Sequence, residues 1–149
     1  MRILVLNGPN LNLLGRREPE VYGKTTLDEV ESLLESRADE LGVELEFEQT
    51  NHEGVIIDLL HEAMDDFDGV ILNAGAYTHY SYAIRDAIAA IDIPVVEMHI
   101  SDISRREEFR RISVLSDVCI HMVSGEGVSG YATALDYLYC ALKGEGETE

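Results

Sequence analysis

Short apolar runs alternate along this chain with stretches in which apolar residues recur every three or four positions. The first run is Ile3–Leu6, and the first such stretch lies at Leu27–Leu41. A short continuous apolar run is typical of a strand buried on both faces, whereas the three-to-four spacing is typical of an amphipathic helix. The same pattern predicts four more strands and four more helices. The strands are Val43–Gln49, Val70–Leu72, Pro94–Met98 and Val118–Val123, and the helices are Val55–Ala63, Ala83–Ile91, Ser104–Ile112 and Tyr131–Leu142.

Two of the predicted helices begin at a capping pattern. Thr26 is followed three positions later by Glu29, a spacing at which each side chain can bond the other residue's backbone N–H. Ser104 and Glu107 repeat that spacing and predict a helix start there. Gly42 follows the first helix and suits the left-handed conformation with which many helices end.

Five strands and five helices in strict alternation indicate an α/β fold, with one parallel sheet and helices on both of its faces. For five strands we predict a doubly wound, flavodoxin-like sheet with the strand order 2-1-3-4-5. The length of 149 residues fits one domain. We place that domain at residues 1–143 and predict a flexible acidic tail over residues 144–149. Ligands of such sheets bind outside the carboxyl ends of the strands, so functional residues are expected there.

The amino-acid composition argues against several kinds of binding partner. Eleven basic residues stand against 29 acidic ones, which gives a net charge of −18 and disfavours binding to nucleic acid. No apolar run reaches the roughly 18 residues of a membrane span, and the first ten residues do not resemble a secretory signal. The two cysteines are too few for a disulfide framework or a four-cysteine zinc site. We therefore expect a cytoplasmic protein that binds neither nucleic acid nor membrane.

The loop between the first strand and the first helix carries two candidate residues, Arg17 and Tyr22. It is longer than the roughly two to six residues usual for such a connection, which favours a functional lid. Tyr22 could be a packed anchor in a solvated loop. It could equally be a base, because a close positive charge favours the phenolate form of a tyrosine.

Four further candidates follow the third and fourth strands. Asn73 and His79 come after the third strand, and His99 comes after the fourth, with Arg110 on the predicted helix beyond it. Either histidine taken alone could be an ordinary hydrogen-bonded loop residue. Together with the loop arginine and tyrosine at the same sheet edge, they indicate proton-transfer chemistry on a small anion rich in oxygen.

The segment Gly125–Gly130 has the spacing G-x-G-x-x-G. In a dinucleotide-binding fold, a further strand follows this motif, with an acidic residue about 20 positions on. Only one helix and the tail follow here, so tight packing of strand against helix is favoured over nucleotide binding. A phosphorylation receiver with this fold is disfavoured too, because Asn7 and Asn73 stand where it needs acidic residues.

Seven segments, taken together, resemble type II 3-dehydroquinate dehydratases. The match runs in order and without large gaps from about residue 2 to residue 142. The segments are Asn7–Gly15, Arg17–Pro19 with Tyr22 and Gly23, Asn51–Gly54, Asn73–Ala76 with Thr78 and His79, Glu97–Ser101, Arg106–Arg110, and Gly125–Tyr131. Several of them are too long for chance agreement.

This resemblance implies a flavodoxin-like enzyme of the shikimate pathway that dehydrates 3-dehydroquinate to 3-dehydroshikimate without a metal or a cofactor. Tyr22 would be the base, Arg17 its activator, and His99 the general acid. The substrate would be held by the side chains of Asn73, His79, Asp86 and Arg110 and by the backbone N–H groups of Ile100 and Ser101. The family also implies a homododecamer, built as a tetramer of trimers.

Two positions depart from the family pattern. Asp102–Ser104 stands where Asn-x-His is common, and His121 stands where glycine is frequent, so local loop packing is expected to differ there. The other dehydroquinate dehydratase family uses a Schiff-base lysine on a different fold, and neither Lys24 nor Lys143 suits that role. A binding scaffold that had lost catalysis would be expected to lack one of the three catalytic residues, and all three are present.

The charge leads to a prediction about assembly. Each chain carries −18, and only two of its eleven basic residues are lysines, so twelve assembled chains would repel one another. The Debye length falls from about 30 Å at 0.01 M salt to about 3 Å at 1 M, so salt screens this repulsion. We expect assembly to require salt, as in a protein from a halophile. Light scattering and activity at low and molar salt check this, and a particle of constant size and activity would contradict it.

Overall fold

The computed structural model describes residues 1–147. Its centre is a five-stranded parallel sheet in the order β2-β1-β3-β4-β5, which confirms the predicted topology. The strands are β1 (Arg2–Asn7), β2 (Glu44–Gln49), β3 (Gly69–Asn73), β4 (Val95–Met98) and β5 (His121–Val123). The carboxyl ends of β1, β3 and β4 therefore lie side by side.

Helices cover both faces of this sheet, as predicted. They are the short α1 (Pro19–Tyr22), α2 (Leu27–Leu41), α3 (Glu53–Asp66), α4 (Tyr82–Ala90) and α5 (Gly130–Glu147). Alternate residues of the central strand β1 enter two separate cores. Ile3 and Val5 pack in the core that contains α2 and α5, whereas Leu4 and Leu6 pack in the core that contains α3 and α4. A strand buried on both faces explains the continuous apolar run.

The edge strand β2 shows a different pattern. Its side chains alternate strictly between exposed and half-buried, and the exposed ones are Glu44, Glu46 and Glu48. Leu45 and Phe47, between them, pack against the core of α2 and α5. One face of β2 is therefore apolar and the other carries negative charge.

The capping prediction for α2 is confirmed. The backbone N–H of Glu29 donates to the Thr26 hydroxyl at 3.3 Å, and the Glu29 carboxylate accepts from the Thr26 backbone at 3.5 Å. Gly42 ends the helix in the left-handed conformation, with its N–H directed at the carbonyls of Ala38 and Asp39. The local sequence thus fixes both ends of this helix.

The helix predicted at Ser104–Ile112 is wrong. Two 3-10 turns, Ile103–Arg105 and Glu108–Arg110, take its place. Asp102 caps the first turn, because its carboxylate accepts both the Ser104 N–H at 3.0 Å and the Ser104 hydroxyl at 2.6 Å. The serine hydroxyl is therefore bonded backwards along the chain and does not cap a following helix.

Two other element ends differ from the prediction. β5 begins at His121 and not at Val118, because the N–H groups of Val118 and Cys119 both bond to the Leu115 carbonyl in a tight turn. At the other end, α5 continues to Glu147, through the first four residues of the predicted tail at 144–149. Residues 148–149 lie outside the described residues. No helix within residues 1–147 is long and apolar enough to cross a membrane.

Candidate active site

A cleft of about 670 Å³, counting its open mouth, lies at the carboxyl ends of β1, β3 and β4. Eight of the nine predicted site residues line it: Arg17, Tyr22, Asn73, His79, His99, Ile100, Ser101 and Arg110. The other lining residues are Pro9, Asn10, Leu11, Leu14, Gly75, Ala76, Ile103 and Arg106. Three segments of the chain, those that follow β1, β3 and β4, thus meet at one place, as expected for the carboxyl edge of a doubly wound sheet.

Asp86 is the ninth predicted residue, and it does not line this cleft. It lies on α4 with an exposed side chain, while Ile84, Ala87 and Ile88 of the same helix face the core. Within a single chain, Asp86 is therefore separate from the site.

The cleft is cationic in a strongly acidic protein. Three arginines line it, and no aspartate or glutamate of the described residues does. Six of the nine arginines of the sequence fall in two short segments beside it, residues 16–17 and 105–111. Across residues 1–147, no group of three histidine, cysteine, aspartate or glutamate side chains is arranged to hold a metal ion. The site is thus complementary to a small anion.

Two guanidinium groups surround the phenol of Tyr22. Arg106 donates to the Tyr22 hydroxyl at 3.2 Å, and the Arg17 guanidinium lies 4.9 Å from the centre of the ring. Arg106 also donates to the Ser101 hydroxyl at 3.1 Å, which ties α1 to the end of β4. Tyr22 ends α1, and Glu18 just before that helix has a left-handed backbone with φ of 39°. Such a backbone is strained for a residue other than glycine, and strain of this kind concentrates at functional sites.

Sequence reasoning missed Arg106, although it predicted Arg17 as the cation beside Tyr22. The signal was present, because Arg106 and Arg110 are four residues apart and would share one face of the helix predicted there. The segment forms turns, yet both arginines still line the cleft. Arg106 is the cation that contacts the phenol oxygen directly.

His99 is buried, with 5% of its surface exposed, and it is paired with a buried carboxylate. Its Nε2 lies 2.5 Å from an oxygen of Glu97, a residue that is only 1% exposed. Glu97 also accepts hydrogen bonds from the hydroxyls of Ser113 at 2.5 Å and Ser116 at 2.9 Å. Burial alone would raise the pKa of Glu97, but these hydrogen bonds and the charge of His99 together hold the pKa below its ordinary value of 4.5. An ionised Glu97 keeps the proton on Nε2 and fixes the ring.

Glu97 is a second residue that sequence reasoning passed over as part of the site. Its signal was a charged residue inside the apolar run Pro94–Met98, where a buried charge requires a partner. The partner is two residues away on the same side of the strand.

His79 has a defined tautomer. Its Nδ1 lies 2.7 Å from the Ile112 carbonyl, which can only accept, so Nδ1 carries the proton. Burial lowers the pKa of His79, the hydrogen bond to Ile112 opposes this, and the nearby charges of His99, Arg110 and Arg106 lower it further. The pKa of His79 is lowered overall, which favours the neutral ring near pH 7, and in that form Nε2 is a hydrogen-bond acceptor.

The backbone after β4 is held by the glycine-rich loop after β5. Gly127 donates to the Ile100 carbonyl at 3.0 Å, and Gly125 donates to the Ser101 carbonyl at 3.2 Å. The G-x-G-x-x-G spacing thus serves local packing and cleft geometry, in agreement with the interpretation favoured from the sequence.

The cleft combines groups for moving protons at two points. A phenol contacted by guanidinium groups can act as a base, and a histidine fixed by a carboxylate can act as an acid. Arginine and backbone groups between them can hold an oxygen-rich anion.

Comparison with known proteins gives a consistent result. The family model described as dehydroquinase class II matches residues 1–139. A 3-dehydroquinate dehydratase of Dinoroseobacter shibae is 54% identical over 142 residues, covering 95% of each chain. A 3-dehydroquinate dehydratase of Bacillus cereus is 56% identical over 143 residues, covering 96% of this chain and 98% of the relative.

A solved structure of a type II dehydroquinase has the same fold. The crystal structure of type II dehydroquinase from Butyrivibrio crossotus superposes with a TM-score of 0.91 at 48% identity. The match covers 93% of this chain and 97% of the other.

The buried Glu97 predicts a pH dependence of stability. Its pKa is lowered on folding, so its contribution is present above the ordinary value of 4.5 and is lost as pH falls through the lower folded value. We expect Glu97→Gln to be about 2 kcal/mol less stable than the native protein near pH 7, since hydrogen bonds to a charged group contribute about that much. The difference should shrink as pH falls below 4.5. Denaturant titrations across this range measure it.

The matched control is Glu62→Gln, which changes an exposed glutamate on α3. Its effect on the free energy of unfolding should be small at every pH. A constant difference between Glu97→Gln and the native protein down to pH 3 would contradict the assignment of an ionised, hydrogen-bonded carboxylate.

Proposed function

The chain belongs to the class II dehydroquinase family, and from that premise we propose that it dehydrates 3-dehydroquinate to 3-dehydroshikimate in the shikimate pathway. One observation carries the proposal beyond membership of the family. The three residues assigned to the reaction, Tyr22 and Arg17 in the loop after β1 and His99 after β4, line one cleft that has no acidic side chain among its lining residues.

Tyr22 is the base in this proposal. It removes a proton from the carbon next to the substrate's C3 ketone, which leaves negative charge on the ketone oxygen as an enolate. Arg106, at 3.2 Å from the Tyr22 oxygen, stabilises the phenolate, and Arg17 places a second positive charge beside the ring. Fixed cations stabilise developing negative charge more effectively in a cleft than in water.

His99 is the general acid. When the enolate collapses, the bond from C1 to its hydroxyl breaks, and the proton from His99 turns that hydroxyl into water. Glu97 holds the proton on Nε2, so it is the protonated ring, with a second proton on Nδ1, that acts as the acid and delivers the Nδ1 proton. Tyr22 then releases the proton it gained to solvent and His99 takes one up, so the net change is the loss of one water from the substrate.

Orientation comes from the remaining residues of the cleft. We assign the substrate carboxylate to the backbone N–H groups of Ile100 and Ser101, whose carbonyls are held by the glycine-rich loop. Asn73, Arg110 and the acceptor Nε2 of His79 are assigned to the ring hydroxyls. Holding the ring in one pose accelerates the reaction by positioning, in addition to the acid and base terms.

The assembly is also a proposal. Four large hydrophobic side chains are strongly exposed near the cleft, namely Tyr80 at 59%, Tyr82 at 67%, Phe109 at 64% and Ile112 at 65%. Their exposure supports burial against further copies, consistent with the homododecamer, a tetramer of trimers, expected for the family. In such an assembly, Asp86 on α4 would act from another copy, since it does not reach the cleft of its own chain.

The first test uses the base. Purified protein is mixed with 3-dehydroquinate, and the conjugated enone product is followed by its ultraviolet absorbance. Tyr22→Phe keeps the ring and removes the hydroxyl, so the rate should fall by at least about 10²- to 10⁴-fold while binding remains. Tyr137→Phe, which changes a partly exposed tyrosine on α5, is the control and should retain the native rate.

A folded native protein without activity would refute the proposed function. A near-normal rate for Tyr22→Phe would show that Tyr22 is not the base.

A second test separates the acid from the base. His99→Ala should stop protonation of the leaving hydroxyl while Tyr22 still removes the proton. In deuterated solvent, the substrate should therefore gain deuterium next to the ketone without net dehydration, as measured by mass spectrometry. Loss of exchange together with dehydration would show that His99 acts earlier, in positioning or in proton removal.

A further inference from the structure

Gly130 and Tyr131, the first two residues of α5, bring the Tyr131 side chain to the ends of β1 and β3. A β-carbon on Gly130 would lie 2.7 Å from the Met98 methyl carbon and 3.2 Å from Val123, so its absence lets α5 begin directly against β4 and β5. Tyr131 follows, 1% exposed, in the core between the sheet and α5. Its hydroxyl bonds to the residues that end β1 and β3.

These residues form a chain of hydrogen bonds with one possible direction. The Gly75 N–H, which can only donate, donates to Asn73 Oδ1 at 3.2 Å. Asn73 Nδ2 must then face the other way, and it donates to the Tyr131 hydroxyl at 3.0 Å. The Tyr131 hydroxyl, which accepts this bond, in turn donates to Asn7 Oδ1 at 2.6 Å.

The buried environment keeps the Tyr131 hydroxyl in its protonated form. Burial raises the pKa of Tyr131 well above its ordinary value of 10, against a smaller opposing effect of the hydrogen bond from Asn73. The hydroxyl therefore stays protonated and keeps both of its hydrogen bonds. Asn73, at the other end of the bond, is 5% exposed and lines the cleft.

We propose that Tyr131 is a positioning residue, whose hydroxyl fixes the amide of Asn73 so that its second N–H and the second lone pair of Oδ1 are presented to a substrate hydroxyl. A hydroxyl both donates and accepts, so a fixed amide that offers one donor and one acceptor selects for it. This inference rests on the proposed function, in which Asn73 binds a ring hydroxyl. Tyr131 itself is buried behind Asn73 and does not line the cleft.

A double-mutant cycle on the native assembly tests the inference. Tyr131→Phe keeps the ring and its packing and removes only the hydroxyl. We expect kcat/KM for 3-dehydroquinate to fall about tenfold, the effect of one lost hydrogen bond. In the Asn73→Ala background, Tyr131→Phe should change kcat/KM by less than about twofold, because the residue it acts through is gone.

A merely structural role gives a different result. Tyr131→Phe would then lower kcat/KM by the same factor in both backgrounds, or not at all, and either result overturns the inference. Tyr139→Phe, also on α5 and partly buried against the same core, is the matched control and should leave kcat/KM unchanged. Asn7→Ala removes the acceptor at the far end of the chain and should repeat the pattern of Tyr131→Phe, which keeps the test decisive if that variant folds poorly.

Crystal structures of the native protein and Tyr131→Phe give a readout apart from activity. The Asn73 amide should rotate or occupy two orientations in the variant, and an unchanged single orientation overturns the inference. An inactive native protein would instead refute the proposed function, and the crystal comparison would still decide whether Tyr131 fixes Asn73. The two failures are therefore distinguishable.

Discussion

A carboxylate is buried on β4, an interior strand of the parallel sheet, and the side chains around it have to compensate its charge. Glu97 is almost completely buried, and a buried charge is tolerated only when it is paired and hydrogen-bonded. His99, Ser113 and Ser116 supply those bonds. Two of the three, Ser113 and Ser116, come from the segment between the 3-10 turn at 108–110 and β5, so Glu97 holds that segment against β4. The same carboxylate thus anchors the chain after the site and fixes the histidine inside it.

The sequence was sufficient for the fold because its signals are periodic and short-range. Apolar runs, helical spacing and the Thr26–Glu29 pair each act within a few residues, and the structure confirms the topology they predict. The helix expected after Ser104 failed for a reason that spacing does not show. The Ser104 hydroxyl bonds to the Asp102 carboxylate two residues before it, so it does not cap a helix that follows.

Two kinds of site residue could be predicted from the sequence: those that come directly after a strand, and those that match a motif of the family. Arg106 and Glu97 act through a second side chain, one on Tyr22 and the other on His99, and such contacts depend on distances that the sequence does not contain. Asp86 is the reverse case, a residue assigned by resemblance that a single chain leaves on its outer surface. The local pattern of α4 directs Ile84, Ala87 and Ile88 to the core and so leaves Asp86 outside.

The glutamates of β2 have a consequence for how copies of this chain can meet. An open sheet edge is a template on which another strand can add, and charged side chains along it are the common protection. At β2, an incoming strand would run about 4.8 Å from the backbone of β2, and one face of that backbone carries a row of three exposed carboxylates. A continuous sheet shared between molecules is thereby closed off on this side. The charge on β2 thus directs contacts between copies to other surfaces, among them the loops at the rim of the cleft, whose surfaces can match in shape without aligning backbone to backbone.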